Sequence, residues 1–387
     1  MRIYHNILNR GFDMKILLVV NEFYAKTNGL SISTQRFCDE FIKLGAEVRV
    51  LSGKSYGKTY YSLEKKEIHP FEGLIEKQGY VFAKVNKKII KEACQWADVV
   101  HLEEPFFIQN ACAKIARKMG KLITGTYHLF PENIVSSIHL GHCRLLNYCL
   151  NLWFRSMSYK YCRFIQCPTE TVMDRLKNNN YKADMEVITN GITPDRILAR
   201  TNKPLEYEDK MVILSVGRFS VEKNQKTLLK ALALCHHKND IVLIMAGQGP
   251  LRKKYEKLGK KLPNKPIMKF MTREELMNVT SYADVIVHCA DVEVEGMSLM
   301  EGFAGGAVPI IASSRLSATS QYAISKYNKF KARDYHELAK RIDYWFDSPE
   351  KLKEASENYQ NWAKELTVEK SAIRMLEIWN NYLNNKE

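Results

Sequence analysis

Short apolar runs recur along the chain, and most are followed by a stretch whose apolar positions return at helical spacing. Lys15-Ile-Leu-Leu-Val-Val20 is the first run. A helix is predicted from about Ser33 to Leu44, then a second run at Glu47–Leu51. Asp98–Leu102, a helix near Asn110–Lys118 and Lys121–Thr126 continue the series. The alternation restarts with Val212–Val216, Ile241–Ala246, Val285–His288 and Val308–Ile311. Strands alternating with helices predict βαβ units and parallel sheets, and two such blocks predict an α/β chain of two doubly wound domains. The polar stretch Thr193–Lys210 has the composition of the joint between them. Ser348-Pro349-Glu350 reads as a helix start. The last helix is expected from about Thr367, with Ala372, Met375 or Leu376, Trp379 and Leu383 on one apolar face. That face needs a partner, and the first domain would supply one. The expected division is 1–195, 196–366 and a closing helix 367–387, with 1–13 an extension of little structural weight.

A length of 387 residues favours two domains over one core. No run of eighteen apolar residues occurs, so no membrane span is expected, and the first residues do not read as a secretory signal. Nine cysteines are scattered without metal-ligand spacing, which argues against a disulfide framework or a zinc site and for a reducing cytoplasm. The net charge of +15 calls for an anionic partner. No nucleic-acid recognition motif is visible, which leaves an anionic substrate or an anionic membrane surface.

Ligands of open α/β sheets bind beyond the carboxyl ends of the strands, and the loops placed there carry the candidate chemistry. In Glu293-Val-Glu-Gly296-Met297-Ser298-Leu299-Met-Glu301, two acids bracket a glycine ahead of a helix. The plain reading is a capping box, with Ser298 at the N-cap and Glu301 three residues on. The sharper reading adds a helix N-terminus whose amides at Met297–Leu299 would face a diphosphate. Gly296 would let the backbone approach, Glu293 would accept from sugar hydroxyls and Glu301 from ribose hydroxyls. Glu295 reads more simply as a solvated acid.

Gly217-Arg218-Phe-Ser-Val-Glu222-Lys223 follows a strand and is expected to open a helix. Arg218 or Lys223 could simply pair with Glu222 at the surface. As a two-cation clamp, they would instead stabilise the charge growing on a departing nucleoside diphosphate. Gly29, in the loop Asn28–Ser33, would face the same ligand. His128 lies just past a strand and could donate to or accept from the transferred group. His101, Glu103 and Glu104 on a neighbouring loop are weaker candidates. The segment 133–167 lacks acids, and its bases are interleaved with aromatics. It is either a pair of buried helices with basic ends or a surface resting on anionic lipid.

From Met14 onward the chain resembles the family 4 glycosyltransferases. Glu293/Glu301 with Gly296, the following Gly306-x-x-Pro309, the Arg218/Lys223 clamp and the Asn190-Gly191 turn carry the likeness. The resemblance implies the GT-B fold, two Rossmann-like domains facing across a cleft. It also implies metal-independent transfer of a hexose, with retention, from a nucleoside-diphosphate sugar, a UDP-sugar being favoured. No cofactor is implied. The loop at Gly29 and the stretch Tyr127–Asn133 are similar to members acting on diacylglycerol or lipid-linked acceptors, which suggests a cytoplasmic enzyme peripheral to the inner membrane face. Glu295 replaces a common aromatic, and Lys269–Leu276 lacks a usual glycine. The alternatives to an enzyme of this kind are a nucleotide-sugar or polyanion binder without turnover, or another GT-B activity such as an epimerase.

Overall fold

The computed structural model describes residues 12–25, 28–54, 57–69, 73, 80–135 and 143–385. Most of the proposed N-terminal extension, Lys26–Thr27 and residues 136–142 of the basic segment therefore lie outside the described residues. The chain divides into two compact units. Residues 1–129, 144–191 and 368–387 form one, and residues 130–143 and 192–367 form the other.

The first unit is built on a seven-stranded sheet. Its order in space is Tyr61–Leu63, Glu47–Gly53, Lys15–Val19, Val99–Leu102, Leu122–Thr126, Phe164–Cys167 and Asp184–Val187, every neighbour being parallel. Ile16, Leu17, Leu18 and Val19 are fully buried, which explains a continuous rather than alternating apolar run: helices cover both faces. The closing helix Val368–Asn384 lays Val368, Ala372, Met375, Leu376 and Trp379 into the cluster that holds Phe37 and Phe41 of the helix Gly29–Lys43. The Trp379 ring lies 5.2 Å from Phe41 and 5.1 Å from His101.

The second unit carries six parallel strands in the order Ile267–Lys269, Ile241–Ala246, Met211–Val216, Val285–His288, Val308–Ser313 and Lys329–Lys331. Both sheets place their first strand beside their fourth, the reversal of order at which doubly wound folds form a ligand crevice. The expected α/β class and its two Rossmann-like domains are what the chain adopts.

Several local expectations need correction. The helix expected from Ser33 starts at Gly29, with the Asn28 side chain accepting from the Leu30 amide. The stretch Thr193–Lys210 is fastened to the second unit rather than loose. Lys203 pairs with Asp284 at 2.6 Å, and Arg200 donates to the carbonyls of Ala283 and Tyr282. Helix Arg144–Met157 buries Asn147, Asn151 and Phe154 while Leu145 and Tyr148 stay 72% and 55% exposed, so it is not a buried helix with basic ends.

Candidate functional site

In the second unit the site begins where strand Met211–Val216 ends. Gly217 takes a φ of 142°, and the chain then runs as a loop until helix Lys226–Leu232. The 217–223 stretch therefore does not itself open a helix. Gln225 Nε2 donates to the Arg218 carbonyl at 2.9 Å, and the Asp291 amide donates to the Glu222 carbonyl at 2.8 Å. These bonds tie the loop to the segment carrying Glu293. Lys223 Nζ reaches Glu293 Oε2 directly, across seventy residues of sequence, rather than pairing with Glu222. Glu222 instead accepts from Ser220 Oγ. Arg218 is half-buried on the same loop.

Burial alone would raise the Glu293 carboxyl, but the Lys223 charge and His288 pull it down to about 2. His288 is a residue the sequence reading missed. It ends the strand Val285–His288, is 5% exposed, and holds Nε2 3.5 Å from the same Oε2. Its burial lowers its own titration below the ordinary imidazole range, and Glu293 opposes that shift only in part.

Helix Met297–Ala304 is not capped by Ser298. Its N-cap is Gly296, left-handed at φ 85°, and Ser298 is the second helical residue. A Cβ at Gly296 would stand 2.6 Å from Thr319 Cγ2, so both conformation and space require glycine here. Glu301, released from the capping role, lies 3.8 Å from the buried Arg196, a second residue the sequence reading did not single out. The Leu299 amide turns back to the Gly296 carbonyl at 2.9 Å. The amides of Met297 and Ser298 precede the first intrahelical bond and are the donors which that terminus can offer an anion. Glu295 is buried at 2% exposure near Tyr322, not a solvated acid. A small pocket beside this terminus is lined by Arg196, Val216, Leu276, Met277, Ser298 and Glu301. The cations at 218/223, the acids at 293/301 and the 296–299 turn thus belong to one unit, and Lys223 and Glu293 touch.

The first unit holds the other candidates. Gly29 is the exposed first residue of its helix, not a loop glycine; nothing lies within 4 Å of where a Cβ would stand, and its φ is not positive. His128 follows strand Leu122–Thr126, its side chain 6% exposed, with Nε2 2.8 Å from Glu103 Oε2. Glu103 is 3% exposed. Burial would raise its carboxyl, but the bond from His128 leads the effects that bring it below the usual value. Glu104 turns the other way, into a buried cluster with Asn21, Gln109 and Tyr80, and burial raises it. Among the described residues, no three His, Cys, Asp or Glu side chains gather as metal ligands do, and no helix is long and apolar enough to cross a membrane.

Residues 27–196 match the family model described as Glycosyltransferase Family 4, and residues 199–362 match that described as Glycosyl transferases group 1. An alpha-monoglucosyldiacylglycerol synthase from Streptococcus pneumoniae is 22% identical over 77% of this chain and 71% of its own length. A GDP-mannose-dependent alpha-(1-6)-phosphatidylinositol dimannoside mannosyltransferase from Mycobacterium tuberculosis is 27% identical over 49% of this chain, which spans 54% of that relative. Among solved structures, Anabaena HepE in complex with UDP-glucose superposes with a TM-score of 0.71 at 16% identity, covering 95% of this chain and 100% of that one. At that identity the likeness speaks to the fold alone.

Proposed function

The chain belongs to the glycosyltransferases, and from that premise we propose that it transfers a hexose, with retention, from a nucleoside-diphosphate sugar to a lipid or lipid-linked acceptor. The contact that carries this reading is Lys223 on Glu293, since it sets a cation of the proposed clamp against the acid assigned to the sugar. Arg218 and Lys223 take the diphosphate, with the amides of Met297 and Ser298 at the helix N-terminus. Charge that grows on the leaving oxygen then meets fixed positive partners without a metal ion. Glu301 accepts from the ribose hydroxyls, and the base lies against Leu276 and Met277. Glu293 accepts from hydroxyls of the donor sugar, and His128 attends the transferred group. We favour UDP as the nucleotide carrier.

The lipid acceptor is supported by the names of the two relatives, one a monoglucosyldiacylglycerol synthase and the other a phosphatidylinositol dimannoside mannosyltransferase. It is supported too by the net charge of +15 and by the exposed Leu145 and Tyr148 beside Arg144, which suit an anionic bilayer surface. The test is turnover of UDP-glucose with diacylglycerol in mixed micelles, following UDP release and the anomeric proton of the product. Arg218→Ala is expected to lower turnover about 10²- to 10³-fold. An unchanged rate removes the clamp, and an inverted anomer removes retention.

A further inference from the structure

Behind His128 lies a buried polar chain in which each proton can be placed. Gln166 Nε2 donates to the Ile188 carbonyl at 2.9 Å, which fixes the amide and turns Oε1 toward Thr126. The Thr126 hydroxyl donates to that oxygen at 2.6 Å, so toward His101 Nε2, 2.9 Å away, it can only accept. His101 therefore carries its proton on Nε2, and its Nδ1 accepts from Thr124 at 2.8 Å. Burial keeps this ring neutral, pushed down to about 4. It gives Glu103, 3.9 Å away, no cation. The carboxylate of Glu103 is turned instead to His128 at 2.8 Å.

An ionised carboxylate has only acceptors, so the nitrogen of His128 that faces it must bear hydrogen. We propose that Glu103 is the positioning residue of His128. It holds the imidazole with hydrogen on Nε2 and fixes the plane in which the other ring nitrogen meets the transferred sugar. The inference rests on the proposed role of His128, and its test separates the two.

The full chain is labelled with ¹⁵N-histidine, and the His128 resonances are assigned by their loss in His128→Asn. The expected signature is a single form of the ring with hydrogen on Nε2. Glu103→Gln can both donate and accept, and it is expected to abolish that single form. The same proteins are assayed for release of UDP from UDP-glucose. Loss of orientation at Glu103→Gln should lower kcat about 10²-fold with a smaller change in KM. Glu103→Asp should recover part of the rate, and Glu103→Gln should cost nothing further in a His128→Ala background. Thermal midpoints and UDP binding serve as controls for the fold. An Nδ1–H tautomer in the native protein, or one untouched by Glu103→Gln, overturns the positioning role whatever the rates. A wild-type rate from His128→Ala overturns the catalytic reading of His128 and with it the expected losses at Glu103.

Discussion

Replacing Glu293 by Gln keeps the shape of the side chain and removes the charge that Lys223 and His288 face. The folded carboxyl sits at about 2 against an ordinary 4.5. That gap corresponds to about 3 kcal/mol of stability held by the ionised form. Lys223 and Glu293 keep 23% and 17% of their side-chain surface exposed, so screening by water brings the expected loss nearer to about 2 kcal/mol. The folded value lies below the unfolded one. The contribution is therefore complete above the unfolded value and disappears as pH falls through the folded one. His288, held below its ordinary range, adds its own acid titration, and His288→Asn in both proteins removes it from the comparison. Denaturant unfolding of the two proteins from pH 7 down to 2.5 is the assay. The stability gap should hold between pH 7 and 5 and close progressively below. A gap that stays constant to pH 2.5 would refute the charge pairing and leave Lys223 a solvated cation.

Trp379→Ala removes a fully buried ring from the contact between the closing helix and Phe41, and should cost about 3–5 kcal/mol of unfolding free energy. A loss below 1 kcal/mol by denaturant titration would mean that the helix is dispensable to the first unit. Gly296→Ala forces a left-handed alanine against Thr319 Cγ2 and should lower stability by about 1–3 kcal/mol while weakening UDP binding by calorimetry. Thr319→Ser added to it relieves the clash but not the strain, so rescue should be partial, and full rescue would show that φ is not the constraint. Leu145→Glu with Tyr148→Glu should reduce sedimentation with anionic vesicles, and added salt should weaken the binding of the native chain. Binding to neutral vesicles that is equal to this and indifferent to salt would remove the electrostatic part of the membrane reading.

The fold was legible because its strands are covered on both faces. Runs such as Ile16–Val19 and Val212–Leu214 are wholly buried, and recurring between helical stretches they are the pattern of a parallel sheet with helices on either side. Helix Gly29–Lys43 was harder. Its first turn, Gly-Leu-Ser-Ile-Ser, has poor intrinsic propensity. Tertiary bonds hold it: Ser31 Oγ gives to the Glu22 carbonyl, and Ser33 Oγ to Asn190. Asn28 was a usable signal for that start, since asparagine ahead of such a turn is a favoured N-cap. The Ser298–Glu301 spacing misled for the opposite reason. It copies a capping box, while the turn is set two residues earlier by a glycine whose left-handed backbone no spacing reveals. The strap 193–210 looked like a linker because it is polar, yet Arg200 and Lys203 spend that polarity on the carbonyls and carboxylate of Tyr282–Asp284.

The candidate site was legible residue by residue but not in its pairings. Glu293 and Lys223 stood out by type and position, whereas their contact depends on two loops meeting at the edge of one sheet. That contact changes what the clamp means. Lys223 already has an anion in Glu293, so a diphosphate must draw it away. Once the lysine moves, the carboxylate keeps only the long contact to His288. The acceptor capacity released on Oε2 is then available to hydroxyl groups, which are what a sugar attached to that diphosphate presents. Binding of the anionic half of the donor and readiness of the acid for the neutral half are thereby coupled through one side chain. UDP alone should loosen Glu293, and replacing Lys223 should sever the coupling as well as weaken the grip.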